Sequence, residues 1–225
     1  MLILLQIPLK MGKKFTDKQI HILEVAEKLI AKKGFEGTSV RDISSAANIN
    51  VAMISYYFGS KEKMMSYLYQ YRVRKARESF AEFAETIKEG KPEMQMKEMI
   101  KHVVNQLFKY NYFHGFVTQE LRHTDYLKEE LMDFYNTFTF KLDDVVKKGI
   151  ATGVFTNAPN PEDLITIIIG SALFVVRNQN FYQMYVPGSN DRYLDEAEKK
   201  IRGNLLVTIF SVLGYNPEAW KVKVS

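Results

Sequence analysis

The chain contains no cysteine. That excludes a disulfide framework and any thiolate metal site, and it fits a reducing cytoplasm. Long apolar runs are also missing: the most apolar internal stretch, Leu164 to Val176, falls well short of the roughly 20 residues that span a bilayer. The opening MLILLQIPLK is apolar, but Pro8 interrupts it, and neither a basic start nor a small-residue cleavage site accompanies it, so it does not read as a signal peptide. Met11 offers an alternative start. There is no P-loop and no GxGxxG fingerprint, which removes the commonest phosphate-cradling loops. Strand signals are scarce, and neither an internal repeat nor a low-complexity tract occurs.

Charge is present but unevenly spread. Residues 1 to 80 carry 14 Lys/Arg and 7 Asp/Glu, a balance of +7, whereas the remaining residues carry 17 and 19, a balance of −2. A basic N-terminal third points to a polyanionic partner for that part of the chain. Hydrophobic residues at 46% and charged residues at 25% are those of a folded globular protein.

Helix signals dominate. Thr16 with Gln19 forms a capping-box pattern ahead of Ile22, Val25, Ala26, Leu29 and Ile30, and Lys32-Lys33-Gly34 supplies a basic last turn and a stop. Thr38 or Ser39 caps a second short helix. Asn48 stands where a left-handed residue ends it, Asn50 caps a third, and Gly59-Ser60 closes that helix and opens a fourth. Longer helices are predicted over about 61–88, 93–112, 114–123, 126–152, 161–184 and 190–214. The expected fold class is therefore all-α, with about nine helices. The expected division is an extension or basic arm at 1–15 (Lys10, Lys13, Lys14), a unit of three short helices with a helix-turn-helix at 16–62, and a body of longer helices at 63–225.

The stretch AEKLIAKKGFEGTSVRDISSAANINVAMISYYFGSKEKMM closely resembles the DNA-binding domain of the tetracycline-repressor (TetR) family. The resemblance is dense over residues 16 to 65; beyond residue 70 it extends only to helix number, length and order. It implies that Thr38, Arg41, Val51, Ala52, Met53, Ser55, Tyr56, Tyr57 and Lys61 line a DNA interface. Ser55 departs from a frequent tyrosine, and Met53 from a small hydroxyl residue. Physically, the third helix is short enough that few side chains can enter a major groove. Ile49, Ile54 and Phe58 have the spacing to pack inward. Arg41 has the fork that grips guanine O6 and N7. Tyr56 and Tyr57 can offer hydroxyls to phosphates, and Lys61 can meet a phosphate beside the amides of a helix start.

The body is rich in aromatics, most of which must be core. Under the resemblance an effector pocket lies among its middle helices. The candidate lining is Phe83, Phe108, Phe116, Phe134 and Phe138, with Gln106, Glu120 or Asn178 as polar anchors, and the expected ligand is small and largely apolar. The helix at 161–184 should be buried all round, with small residues from Gly170 permitting close approach. The family's last two helices form a dimer interface, which implies Gly170 and Phe174 on one helix and the stripe Ile201, Leu205, Ile209 and Val212 on the other. A two-fold dimer fits a pseudo-palindromic operator. No catalytic residue, cofactor or metal is expected. The sharpest enzyme signal, the E-x-x-H pair Glu120 and His123, occurs once, whereas di-iron bundles need it twice with further carboxylates. A third class is a dimeric DNA-binding adaptor whose body binds a protein rather than a small molecule.

Overall fold

The computed structural model describes residues 15–111, 125–186 and 192–215, with the side chains of 125–130 excepted. Lys10, Lys13 and Lys14, the helix expected at 114–123, and Phe116, Glu120 and His123 lie outside the described residues. All regular structure among the described residues is helical: α1 (Asp17–Lys33), α2 (Val40–Ala46), α3 (Ala52–Phe58), α4 (Lys61–Thr86), α5 (Pro92–Lys109), α6 (Asp125–Thr152), α7 (Pro161–Arg177), the single turn α8 (Gln179–Tyr182) with a 3-10 turn at Gln183–Tyr185, and α9 (Tyr193–Val212). The chain divides into two compact units, Met1–Tyr71 and Arg72–Ser225, and the division falls within the residues of α4.

In the first unit each helix starts and stops for a local reason. The Thr16 hydroxyl accepts from the Gln19 amide while the Gln19 side chain accepts from the Thr16 amide. Gly34, at φ 75°, ends α1. Asn48, at φ 53°, makes the turn between α2 and α3 in the left-handed region that asparagine tolerates. The Asn50 carboxamide accepts the Ala52 amide at 2.9 Å, and the Ser60 hydroxyl accepts the Lys63 amide at 3.2 Å. These caps aim Ile22, Leu23, Ala26, Ile30, Ile43, Ile54, Phe58, Met64 and Leu68 into one core, each almost fully buried. Phe15 closes one end of the core edge-on against Tyr67 and Tyr71.

The second unit is built on contacts among α5, α6, α7 and α9, around a core that includes Met96, Ile100, Val104, Phe138, Leu142, Leu164, Ile168, Ala172, Leu205 and Ile209. Pro92 opens α5, where its missing N–H costs nothing. The Gln95 side-chain amide donates to the carbonyls of Ile87 and Lys88, both at 2.7 Å, closing the α4–α5 turn. Past Gly153 (φ 75°), the turn before α7 is fastened to the end of α9. The backbone amides of Thr156 and Asn157 donate to the Leu213 carbonyl, and the Asn157 side chain donates to Val212.

Two expectations for the helix at 161–184 are corrected. It stops at Arg177, and the segment that follows is bent from it by 88°. Asn178 directs both its backbone and side-chain N–H to the Phe174 carbonyl, a local bond that competes with helix continuation. Nor is the helix buried all round: Gly170 is exposed and Phe174 is 50% exposed. No single helix among the described residues is long and apolar enough to cross a membrane.

Gly149 tests the packing. It is buried in α6, and a Cβ there would fall 1.9 Å from the Phe155 ring. Alanine ordinarily favours a helix over glycine by about 1 kcal/mol, but overpacking costs about 1–3 kcal/mol, and so close a clash puts this case at the upper end. Gly149→Ala therefore lowers the urea midpoint. A midpoint equal to or above that of the wild type would show that the ring moves aside freely.

Candidate nucleic-acid interface

Only seven residues long, α3 is sharply divided. Ile54 and Phe58 are 1% and 2% exposed, while Tyr56 is 78% and Val51 45% exposed. Ala52 and Ser55 also face outward, and Met53 and Tyr57 are half-buried. The Tyr57 ring stands edge-on to Tyr56 at 5.0 Å and leans on Phe58, which in turn meets Tyr67 of α4 at 5.6 Å. The YYF triplet thus has two jobs: Phe58 anchors α3, and the tyrosines carry aromatic surface from the core to its rim.

Arg41 is exposed on α2. Its neighbour Asp42 is committed to the helix start. The Ser39 amide and hydroxyl donate to one Asp42 carboxylate oxygen at 2.9 and 2.7 Å, and Lys33 approaches the other at 3.7 Å. The Ser39 backbone bond first, then the Ser39 hydroxyl and the Lys33 charge, hold the Asp42 carboxyl below its ordinary value. Asp42 therefore stays ionised beside Arg41 without pairing with it. His21 ties α1 to the end of α2 through a 3.2 Å contact between Nε2 and the Ala47 carbonyl. Lys61 begins α4 with its ammonium 4.0 Å from the centre of the Phe35 ring.

Eight of the nine residues expected at the interface have exposed or half-buried side chains: Arg41, Val51, Ala52, Met53, Ser55, Tyr56, Tyr57 and Lys61. Thr38 does not. It is fully buried, and its hydroxyl donates to the Gly34 carbonyl at 2.8 Å. The cap of α2 is Ser39, and the Thr38 side chain fixes the turn before it. A threonine and a serine in sequence are both good caps, so the pattern did not say which of them turns inward.

The body candidates separate in the same way. Phe83, Phe134 and Phe138 gather with Phe80 and His102: Phe80 meets Phe134 at 6.2 Å and Phe138 at 5.1 Å, and the His102 ring stacks on Phe83 at 4.1 Å and 14°. Burial lowers the His102 pKa, which favours a neutral imidazole at neutral pH. His102 carries no motif in the sequence and enters only through this packing. Phe108 and Phe138 are 5% and 1% exposed and belong to the core itself. Gln106 is half-buried on α5. Asn178 is exposed at the end of α7, on an open surface hollow of ≈ 340 Å³ bordered by Val176, Arg177, Gln179, Asn180 and Phe181. It is not part of the aromatic cluster.

Of the dimer candidates, Ile201, Leu205 and Ile209 are buried in the chain's own core, which removes them from an outer surface; Val212 is half-buried. The stripe is apolar as its spacing implies, and α9 packs it on α5 and α7 of the same chain. The outward side of α9 carries Gly203 and Val207, the latter 74% exposed, and open space surrounds both Gly203 and Gly170. A glycine in mid-helix with an exposed valine four residues later was the available signal. Among the described residues, no three His, Asp or Glu side chains come together as a metal site.

A short recognition helix held by two buried anchors, behind a left-handed Asn turn and beside an exposed arginine, defines a helix-turn-helix DNA-binding protein. Residues 22–68 match the family model "Bacterial regulatory proteins, tetR family", and residues 92–202 match "Tetracyclin repressor-like, C-terminal domain". The chain belongs to the TetR family of DNA-binding transcriptional regulators. It is 29% identical over 153 residues to the "Probable HTH-type transcriptional regulator YttP" of Bacillus subtilis, covering 65% of this chain and 71% of that one. A TetR/AcrR-family regulator from Thermobifida fusca has the same fold, with a TM-score of 0.65 and 22% identity over 85% of this chain and 97% of that one. The regulator FadR from Bacillus subtilis, solved in complex with stearoyl-CoA, matches with a TM-score of 0.55 and 20% identity over 83% and 97% of the two chains.

The Asp42 cap has a pH signature. A carboxyl held below its ordinary value stabilises the folded state above the unfolded pKa, and this contribution fades as pH falls through the depressed value. Asp42→Ala lowers the unfolding midpoint at neutral pH, and the gap from wild type closes in acid below the usual carboxylate range. A gap independent of pH would mean that the Ser39–Asp42 bonds do not hold the cap.

Proposed function

We propose that the chain is a homodimeric transcriptional repressor that binds a pseudo-palindromic operator and is released by a small, largely apolar effector. The division of α3 carries the DNA part. Val51, Ala52, Ser55 and Tyr56 face outward with Arg41 beside them, so base reading rests on Arg41 and on apolar contact with thymine methyls. Tyr56, Tyr57 and Lys61 serve the phosphates. Gly170 and Phe174 on α7, with Gly203 and Val207 on α9, supply an uncovered apolar face with room for close helix approach, which suits a second copy.

The effector site lies by the aromatic cluster of Phe80, Phe83, Phe134 and Phe138, with His102 as its polar member and Gln106 one turn further along α5. The stearoyl-CoA bound by FadR lends weight to a ligand with a substantial apolar part. Release follows from linkage. The effector binds better to a state in which α4 has shifted and the two recognition helices no longer match their half-sites, so DNA weakens effector binding by the same factor. The protein acts in the cytoplasm, where its DNA is. A second reading, a body that binds a protein, draws on the exposed Phe174, Phe181, Met184 and Tyr185.

The first test is binding to DNA from immediately upstream of the chain's own gene, against scrambled DNA, across a salt series. A palindromic footprint is expected. Arg41→Ala relaxes base preference at a cost of about 1–3 kcal/mol, while Lys61→Ala weakens all sequences alike and lowers the salt slope by about 1. Intact base preference in Arg41→Ala would remove it as the reader. An effector that binds free and DNA-bound dimer equally well would sink the release mechanism.

A further inference from the structure

The start of α4 holds more than a charge. Lys61 forms no ion pair among the described residues, and its ammonium lies 4.0 Å from the centre of the Phe35 ring. Phe35 is half-buried in the α1–α2 loop, just after Gly34. That loop is fixed twice: the Thr38 amide donates to the Phe35 carbonyl at 3.2 Å, and the Thr38 hydroxyl donates to Gly34. These bonds fix the backbone that carries the ring. The carboxyl that shares the helix start, Glu62, is kept below its ordinary value by the Ser60 hydroxyl first, then by its own backbone amide and the Lys61 charge.

An aromatic face attracts an ammonium through its quadrupole and leaves the full positive charge in place. A carboxylate in the same position would neutralise it and compete with phosphate. A lysine that meets DNA must give up side-chain rotamer freedom, and one already resting on an aromatic ring has given up part of it beforehand. We infer that Phe35 is a positioning residue for DNA binding: its ring pre-places the Lys61 ammonium for a backbone phosphate. This rests on the reading of Lys61 as a phosphate contact.

The test is a double-mutant cycle of Phe35→Leu and Lys61→Ala in the full chain, with operator and scrambled DNA titrated across salt and each variant melted. Phe35→Leu is expected to weaken both DNAs about two- to fivefold, the range of an exposed cation–π contact, with base preference kept. In the Lys61→Ala background it adds nothing, and Phe35→Trp retains wild-type binding. A Phe35→Leu loss of equal size in the Lys61→Ala background would overturn the inference, since the ring would then act through the loop's fold. Wild-type affinity in Phe35→Leu would overturn it too. An unchanged affinity and salt slope in Lys61→Ala would remove the phosphate contact itself, and the inference with it.

Discussion

The outward face of α3 depends on the burial of two side chains, Ile54 and Phe58. They lie four residues apart on a helix too short to be stable alone, and both are almost completely withdrawn from solvent. Burying each is worth about 1.5–3 kcal/mol, which exceeds any gain from helix propensity in a seven-residue segment containing two tyrosines and a phenylalanine. Once these anchors are inserted, geometry settles the rest: Val51, Ala52, Ser55 and Tyr56 have only the outside left to occupy. The caps at Ser39, Asn50 and Ser60 and the left-handed turn at Asn48 fix the register in which the anchors enter.

The body follows a different balance. It keeps some large apolar side chains at its surface. Its core takes Leu164, Ile168, Ala172, Ile201, Leu205 and Ile209, and leaves Phe174 and Val207 outside. His102, its pKa lowered by burial, stacks on Phe83 and adds a polar group to the phenylalanine cluster.

Much of the first unit was legible in the sequence because its signals are local. A capping box, an asparagine in a turn and a Gly-Ser junction each act within four residues, and all were found where the residues placed them. Thr38 is buried where the resemblance implied an interface residue; adjacent Thr and Ser offer the same chemistry to a helix start, and only the position of the Gly34 carbonyl selects between them. The stripe Ile201, Leu205 and Ile209 illustrates the other limit. Helical periodicity reports that a face is apolar but not whether the surface covering it belongs to the same chain. The break at Asn178 was hidden by the apolar run before it, and the Lys61–Phe35 contact by a separation of 26 positions across which no local pattern links the two.

The turns at Gly34, Asn48 and Gly59, each at positive φ, have a consequence for how such a protein can change its preferred DNA. Inserting one residue between these turns would rotate the following helix by about 100° and bring Ile54 or Phe58 to the surface. Retargeting by sliding or lengthening the reading helix is therefore closed. What stays open is exchange of side chains at the outward positions on an unchanged frame, so under the proposed function divergent operators in descendants of this protein would be written in Arg41, Val51, Ala52, Ser55 and Tyr56 while the turns between them kept their length.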